Sequence, residues 1–303
     1  YRAYDFSTNP ITEKKFTYDM DERHQKEYAY HVIKFLMLNL IKIIRQTNQR
    51  FSAQELSEEF GRLNPSFKRH TQFFLALHFW KYDQQLEPQL IFEQLEEFIQ
   101  DLSIWYKNLN ETLPTLSFIR HGKTPLNDGS FLGIGRNPDI LPLESNQILT
   151  DEFDSIYTGT LQRTISTGAA LKGSKETQEP LLNEINYGSA EGLFFSDLAE
   201  KFPELVEAWE RKEDAKFPGG GESQQDVAER IEIFITKITP KNKIAIVTHN
   251  VVIRALIGKA LDLPIHAWFK LNPGHLEKHN FRIFQNRLIP DLSKDQRIRY
   301  KDI

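Results

Sequence analysis

The sequence predicts an α/β fold with a mostly parallel sheet, preceded by a small all-α domain. Apolar residues recur at helical spacing through residues 1–112. The pattern changes at Leu113-Pro114, after which short strand-like runs alternate with helical segments. This alternation is typical of a parallel sheet that carries helices on its faces. We therefore expect a helical N-terminal domain at 1–112 and an α/β domain at 113–303.

The N-terminal domain is predicted to be a bundle of three or four helices. The first helix carries an apolar stripe with a period close to 3.6 residues, at Tyr28, Val32, Phe35, Leu36, Leu40, Ile43 and Ile44. Ser52 is placed to cap the second helix, because a serine hydroxyl accepts hydrogen bonds from the first free amides of a helix. The expected helices are Met20–Gln49, Ser52–Leu63, Ser66–Tyr82 and Pro88–Leu109.

The α/β domain is predicted from short apolar runs that are separated by helical patterns. The expected strands are Thr115–Ile119, Ser155–Tyr157 and Ile244–Val247, with Phe281–Leu288 as an edge strand. The expected helices between them are Leu161–Lys172, Phe195–Lys212 and Gln224–Lys237. In such a sheet the carboxyl ends of the parallel strands meet at one edge, which is where ligands bind in open α/β folds.

The composition excludes several function classes. The 303 residues carry a net charge of −4, which is not the basic footprint of a nucleic-acid-binding protein. The chain has no cysteine, so disulfide frameworks, thiol catalysis and cysteine-ligated metal sites are excluded. The longest apolar stretch, Val32 to Ile44, contains Lys34 and Lys42 and is too short to span a bilayer. We expect a soluble, cytoplasmic protein without a membrane span and without a nucleic-acid partner.

Two histidines lie where a parallel sheet places a ligand. His121 follows the strand that ends in Arg120, and His249 follows the strand that ends in Thr248. Arg163 opens a helix after a third strand, where a guanidinium and free backbone amides both favour an oxyanion such as phosphate. Each residue alone is more often structural or solvated, but together they indicate a phosphate-binding site at the sheet edge.

Five motifs in the second domain together resemble the histidine phosphatase superfamily, in the branch of the phosphoglycerate mutases and fructose-2,6-bisphosphatase. The motifs are Phe118–Thr124 with Asn127, Leu161–Thr164 with Thr167, Leu182–Ile185 with Tyr187-Gly188 and Glu191-Gly192, Pro218–Ser223, and Val247–Leu256. Their order and their spread over about 140 residues carry the resemblance, which does not extend to residues 1–112. It implies a three-layer α/β/α arrangement for the second domain.

The resemblance also implies roles for individual residues. His121 would be the nucleophile that forms a phosphohistidine, and Arg120, Arg163 and His249 would surround the phosphoryl oxygens. Glu184 would be the general acid and base, in preference to Glu191, which would support a loop. The candidate substrate-binding residues are Thr124, Asn127 and Asn250. For Thr124 and Asn127 a purely structural turn stays an equal alternative, and neither a metal nor a cofactor is expected.

The predicted function is hydrolysis of a phosphomonoester, with a small phosphorylated molecule as substrate. A phosphoglycerate-type phosphomutase is the first alternative. The Glu184–Gly221 stretch is shorter than the corresponding stretch of those mutases and offers Arg211 and Lys212 in place of their paired arginines. The second alternative is a catalytically idle scaffold whose helical domain binds a protein partner.

The helical domain has no predicted chemistry of its own. Its aromatic residues Phe73, Phe74, Phe79 and Trp80 are expected in the core more than on a binding surface. A lid over the pocket, a dimerisation element and a docking module for a protein partner all stay open. Because about 110 residues form only a modest core, we expect this domain to pack on the α/β domain.

Overall fold

A computed structural model describes residues 22–45, 49–79, 88–144, 150–174, 176–238, 243–284 and 287–300. The chain divides into two compact units, which meet in sequence between Thr112 and Leu113. The first is helical and the second is an α/β unit, so the predicted fold class is confirmed. Among the described residues, no helix has the length and apolar character that crossing a bilayer requires. Trp80 and the predicted helix end at Tyr82 lie outside the described residues.

The described part of the first unit is a bundle in which one long helix contacts three others. The four helices are α1 (Glu22–Arg45), α2 (Ala53–Leu63), α3 (Lys68–Phe79) and α4 (Pro88–Thr112). Helix α1 packs against α2, α3 and α4. The predicted cap of α2 is present, because the Ser52 hydroxyl accepts from the Glu55 amide and the Glu55 carboxylate accepts from the Ser52 amide at 2.8 Å.

The buried face of α1 matches the predicted stripe only in part, at Leu40 and Ile44. Ile33, Met37 and Ile41 are fully buried, whereas Phe35 is 46 % exposed. The apolar residues of this helix occupy more than one face, so two overlapping stripes of near-helical period are present in the sequence. Only packing against the other helices selects one of them. In the same way Phe74 is buried in α3, while Phe79 at its end is exposed.

The second unit is built on a six-stranded sheet with a separate two-stranded pair. In chain order the strands are β1 (Thr115–Arg120), β2 (Glu152–Phe153), β3 (Ser155–Thr158), β4 (Lys172–Gly173), β5 (Glu176–Gln178), β6 (Lys243–Thr248), β7 (Lys278–Phe284) and β8 (Arg287–Pro290). The sheet has the order β5-β3-β6-β1-β7-β8, and β2 pairs with β4. Strands β5, β3, β6 and β1 run parallel, and β7 and β8 are antiparallel additions. The sheet is therefore mostly parallel, as predicted.

Helices cover the sheet and complete the unit. They are α5 (Gln162–Ala169), α6 (Phe195–Lys201), α7 (Pro203–Glu210), α8 (Gln224–Lys237), α9 (Asn250–Ala260) and α10 (Lys294–Arg299). Phe118 of β1 packs in one core with residues of α8 and α9, whereas its neighbour Ile119 packs in a second core. Successive side chains of a strand point to opposite faces, so both faces of the sheet are buried.

Three predicted elements were wrong in detail. The expected helix Leu161–Lys172 ends at Ala169, and Lys172 belongs to the short strand β4. The expected helix Phe195–Lys212 is two helices, because Pro203 lacks the amide hydrogen that would continue α6 and instead begins α7. The expected edge strand Phe281–Leu288 is a hairpin, in which β7 pairs with β1 and β8 forms the edge. The alternating pattern of the sequence was correct for strand structure but did not show where β7 ends and β8 begins.

Candidate active site

The two predicted histidines meet because of strand register. Strands β1 and β6 are parallel neighbours, and Arg120 lies opposite Thr248. The residue after each strand is a histidine, so His121 and His249 leave the sheet side by side. The His121 amide donates to the Thr248 carbonyl at 3.0 Å, and the two imidazole centroids are 5.1 Å apart. The structure therefore brings together the pair that the sequence singled out.

The His121 ring is held with one nitrogen occupied. Its Nδ1 lies 2.7 Å from the Gly122 carbonyl oxygen, which can only accept a hydrogen bond. In the neutral ring the proton is therefore on Nδ1, and Nε2 keeps its lone pair. Burial holds the pKa of His121 well below its ordinary value, and the charges of Arg163 and Arg120 lower it further. A neutral imidazole with a free Nε2 is the form that a nucleophile requires.

Arg163 is fully buried and fixes the second histidine. Its Nε donates to Nδ1 of His249 at 3.2 Å, so the proton of the neutral His249 ring is on Nε2. The other guanidinium nitrogens donate to the carbonyls of Gly133 at 2.8 Å and Arg136 at 3.1 Å. Burial, and after it the charge of Arg163, holds the pKa of His249 well below its ordinary value. His249 is thereby a neutral hydrogen-bond donor.

Three buried polar atoms near the ends of β1 and β6 have no hydrogen-bond partner. Nε2 of His249, Nε of Arg120 and Oδ1 of Asn250 are all buried and unpartnered. Arg120 is anchored through Nη1, which donates to the Pro273 carbonyl at 2.8 Å. A buried polar atom that makes no hydrogen bond costs about 1–3 kcal/mol. Two donors of this kind at the ends of β1 and β6 are suited to an anionic ligand that accepts from both.

Glu184 lies beside this cluster on an irregular segment. Its Oε1 accepts from the amides of Ile185 at 3.1 Å and Val251 at 3.2 Å, and its Oε2 accepts from the Asn250 amide at 3.1 Å. Two of these donors belong to the first turn of α9, where free amides favour a carboxylate. Burial nevertheless raises the pKa of Glu184, against the opposing effects of the Ile185 amide, Arg163 and Arg120. The group is suited to hold and release a proton.

Glu191, the competing carboxylate, contacts a different region. Its oxygens accept from the Gly133 amide at 2.9 and 3.1 Å and from Nε of Arg136 at 3.4 Å. Gly133 has no room for a side chain, because a Cβ there would lie 2.5 Å from the Ile185 carbonyl oxygen. The carbonyl of the same glycine accepts from Arg163. Glu191 therefore braces the loop that positions Arg163, in the structural place that the sequence analysis gave it.

The candidate substrate-binding residues have structural contacts of their own. Oδ1 of Asn127 accepts from the Thr124 amide at 2.8 Å and from its hydroxyl at 3.1 Å, and the Asn127 amide donates to the Thr124 carbonyl. These bonds form the turn that was the alternative interpretation of both residues. Asn250 starts α9 next to His249. A substrate contact by Thr124, Asn127 or Asn250 stays a prediction.

A third histidine at the site was missed by the sequence analysis. Nδ1 of His275 lies 2.9 Å from the His121 carbonyl oxygen, and the two rings are 5.3 Å apart. His275 is half-buried, and burial followed by the charge of Arg120 lowers its pKa. It belongs to the turn before β7, where Leu276 has a φ of +60° and donates its amide to the Arg120 carbonyl. No helix or strand pattern in the sequence identifies such a position.

The described residues contain no group of three or more histidine, aspartate or glutamate side chains that could hold a metal ion. The charged donors of the site are instead the guanidinium groups of Arg120 and Arg163. The expectation that the reaction needs neither metal nor cofactor stays a prediction.

Comparisons with known proteins agree with this arrangement. Residues 116–288 match the model of the histidine phosphatase superfamily, branch 1. The chain is 28 % identical over 199 residues to 6-phosphofructo-2-kinase/fructose-2,6-bisphosphatase 1 of Bos taurus, and 27 % identical over 199 residues to the corresponding enzyme of Aquarana catesbeiana. Each alignment covers 59 % of this chain and 42 % of the relative, so the chain spans less than half the length of these relatives.

Solved structures support the same fold. The α-ribazole phosphatase of Shigella flexneri matches with a TM-score of 0.50 and 24 % identity, over 60 % of this chain and 96 % of that chain. The phosphoserine phosphatase of Entamoeba histolytica, solved with 3-phosphoglyceric acid, matches with a TM-score of 0.52 and 22 % identity, over 61 % of this chain and 99 % of that chain. Because the family model covers more than half of the 303 residues, the chain belongs to the histidine phosphatase superfamily, branch 1.

Proposed function

We propose that this protein is a phosphatase that hydrolyses a phosphomonoester through a phosphohistidine on His121. The observation that carries the proposal is the state of the two histidines. His121 keeps a lone pair on Nε2, and His249 offers a buried, unpartnered Nε2 proton donor beside it. A nucleophile next to donors that have no other partner is the arrangement that phosphoryl transfer requires.

In the first step, the Nε2 lone pair of His121 attacks phosphorus, and the bond from phosphorus to the ester oxygen breaks. Glu184 donates its proton to that departing oxygen, which leaves as an alcohol. The negative charge on the three phosphoryl oxygens is stabilised by Arg120, Arg163 and the Nε2 proton of His249. The raised pKa of Glu184 supports its role as the acid, because the carboxyl keeps its proton to a higher pH than an ordinary glutamate.

In the second step, the Glu184 carboxylate takes a proton from water, and the water oxygen attacks phosphorus. The bond between phosphorus and Nε2 of His121 breaks, and the electron pair returns to the imidazole. Inorganic phosphate is released, His121 is neutral again and Glu184 is protonated for the next cycle. The same carboxyl thus serves as acid and then as base, which microscopic reversibility favours for two related displacements.

The substrate class is a small phosphorylated molecule. The relatives support this, since their names contain a fructose-bisphosphatase, a ribazole phosphatase and a phosphoserine phosphatase. We expect turnover without a divalent metal, because two guanidinium groups and one imidazole supply the positive donors that a metal would otherwise provide.

A panel of phosphorylated metabolites, assayed for inorganic phosphate with and without EDTA, tests the proposal. We expect phosphate release that EDTA does not abolish. Loss of activity on chelation, restored by a divalent ion, would show that the mechanism is wrong. Interconversion of 3- and 2-phosphoglycerate without phosphate release would indicate the mutase instead. Failure to release phosphate or to incorporate a phosphoryl group from any substrate would favour the idle scaffold.

A further inference from the structure

The backbone that carries Glu184 has no regular structure. Residues 183–187 belong to neither a helix nor a strand, so no ladder of backbone hydrogen bonds fixes them. A general acid must nevertheless lie within hydrogen-bond reach of the departing oxygen, and a displacement of about 1 Å can cost about 10²-fold in rate. Some other part of the molecule must therefore hold this segment in place.

One ion pair holds the segment on both sides of Glu184. Arg230 donates from Nη2 to the Glu184 carbonyl at 3.2 Å and from Nη1 to the Leu181 carbonyl. Its Nε donates to Oε1 of Glu222 at 2.9 Å. Oε2 of Glu222 accepts from the Asn186 amide at 2.8 Å, and the Glu222 amide donates to the Asn186 carbonyl at 2.9 Å. The pair thus binds the backbone before, at and after the carboxyl-bearing residue.

The pair is attached to a rigid element. Arg230 lies on α8, whose residues Val227, Ile231 and Phe234 are buried in the main core. Glu222 comes directly before Ser223, which caps α8 through its hydroxyl and the Asp226 amide. The Arg230 and Glu222 side chains are 15 % and 26 % exposed. Charge-assisted hydrogen bonds that are largely withdrawn from water are stronger than those of surface pairs.

The preceding glycine permits this approach. A Cβ on Gly221 would lie 2.8 Å from the Asn186 carbonyl oxygen, so any side chain there would push the Glu222 backbone away from the segment. The close approach of the two segments therefore requires glycine at this position. In the sequence the Pro218–Ser223 turn was singled out only as one of the five motifs, and the contact with Asn186 gives it a structural role.

We propose that the Glu222–Arg230 pair is a positioning device for the general acid, acting through the Glu184 backbone and not through contact with substrate. The proposal rests on the proposed function of Glu184 and deepens it. It assigns to this ion pair a specific part of catalysis, which is protonation of the leaving oxygen. Loss of the pair should therefore slow the reaction most for substrates whose leaving group needs an acid.

The test compares Arg230→Lys with the control Arg282→Lys. Arg282 also belongs to a half-buried pair that holds backbone, since it donates to Asp291 at 3.1 Å, to the Leu113 carbonyl at 3.2 Å and to the Thr115 hydroxyl. Lysine keeps the charge of Arg230 but cannot reach three acceptors. The kcat/KM value reports steps up to alcohol release. For Arg230→Lys we expect kcat/KM to fall about 10²-fold on phenyl phosphate. On p-nitrophenyl phosphate, whose leaving group needs little acid, we expect kcat/KM to fall only about tenfold.

The double variant with Glu184→Gln makes the test specific. If Arg230 acts only through Glu184, the double variant should have a kcat/KM on phenyl phosphate that is less than about twofold below that of Glu184→Gln alone. Equal losses on both substrates, or the same pattern in Arg282→Lys, would overturn the proposal. Glu222→Gln provides the same comparison if Arg230→Lys does not fold, with a loss in the same direction on phenyl phosphate.

A readout without turnover separates this proposal from the proposed function. Titration of the Glu184 carboxyl by carbon NMR follows its contacts with the amides of Ile185, Asn250 and Val251. We expect Arg230→Lys to change the pKa of Glu184 and Arg282→Lys to leave it unchanged. An unchanged titration in both variants would overturn the positioning role even if the wild-type protein is an active phosphatase. A change in Arg230→Lys alone would support the role even if no substrate is hydrolysed.

Discussion

The helical unit and the α/β unit differ in how many of their buried side-chain polar atoms lack a hydrogen-bond partner. Among the described residues, the helical unit has one buried side-chain atom without a partner, Nδ1 of His70, whose other nitrogen lies 2.9 Å from Asp101. The described part of the α/β unit has five such atoms, and three of them belong to Arg120 at the end of β1 and to His249 and Asn250 between β6 and α9. Scattered unpaired atoms are a cost of packing, whereas a cluster of them is typical of a binding site.

This difference assigns stability and chemistry to different residues. In the helical unit, buried apolar faces of α1 and α4 carry the fold. In the α/β unit, the sheet provides a similar core but ends in polar groups that no other described residue satisfies. Changes at the sheet edge should therefore alter activity with little loss of stability, and changes in the bundle core should do the opposite.

The largest effect is expected for His121→Ala. Because the variant lacks the nitrogen that attacks phosphorus, turnover of every substrate, p-nitrophenyl phosphate included, should fall by at least about 10⁴-fold. The circular dichroism spectrum and the melting temperature should stay close to those of the wild type. Retention of even a tenth of the activity would contradict the assignment of the nucleophile.

The next effect separates the two carboxylates. Glu184→Gln should reduce hydrolysis of phenyl phosphate by about 10²–10⁴-fold and that of p-nitrophenyl phosphate less, because nitrophenolate leaves without a proton. Glu191→Gln is the matched control, since Glu191 accepts hydrogen bonds from the Gly133 amide and from Arg136. Greater loss in Glu191→Gln than in Glu184→Gln would reverse the assignment.

The pH dependence should be set by the same groups. His121 must be unprotonated to attack, and its lowered pKa keeps it so into the acidic range. Glu184 must be protonated to act as an acid, and burial raises its pKa. The value of kcat/KM on phenyl phosphate should therefore fall about tenfold per pH unit above the pKa of Glu184, and this decline should begin at a higher pH than an ordinary glutamate would give. Ionisation of the substrate affects the wild type and Glu184→Gln equally, so the difference between their pH profiles reports Glu184. The variant should lack the part of the alkaline decline that comes from Glu184, and an identical decline in both proteins would contradict the prediction.

The smallest effect on activity is expected in the helical unit. Phe98 is fully buried, and Phe98→Ala should lower the free energy of unfolding of the bundle by about 3–5 kcal/mol through lost packing. Ile104 on the same helix is 51 % exposed, so Ile104→Ala should change it by less than about 0.5 kcal/mol. Below the melting temperature, kcat on p-nitrophenyl phosphate should stay within about twofold for both variants. A larger loss of kcat in Phe98→Ala would mean that the two units are functionally coupled.

The periodic pattern of the sequence predicted the site residues that regular structure positions, and not those that depend on irregular backbone or on tertiary packing. His121, Arg163 and His249 follow strand ends or open helices, so the periodic pattern of the sequence places them at one edge. Glu184 lies on irregular backbone and was assigned only through the motif around it. His275 lies in a turn, and its contact with His121 depends on the pairing of β7 with β1, which no local pattern encodes. The buried stripe of α1 was predicted only in part, with Leu40 and Ile44 buried but Phe35 exposed, because competing apolar faces are distinguished only by tertiary packing.

The most direct test of the account is identification of the covalent intermediate. Glu184→Gln is mixed with a phosphomonoester that has a good leaving group and is quenched within milliseconds, and the phosphorylated residue is located by peptide mass spectrometry. Phosphorylation should proceed without the acid, while dephosphorylation lacks its base, so the intermediate should accumulate. The account predicts a phosphoryl group on His121, labile to acid and stable to alkali. A phosphoryl group on His249, on His275 or on a serine or threonine, or no protein-bound phosphate during turnover, would contradict it.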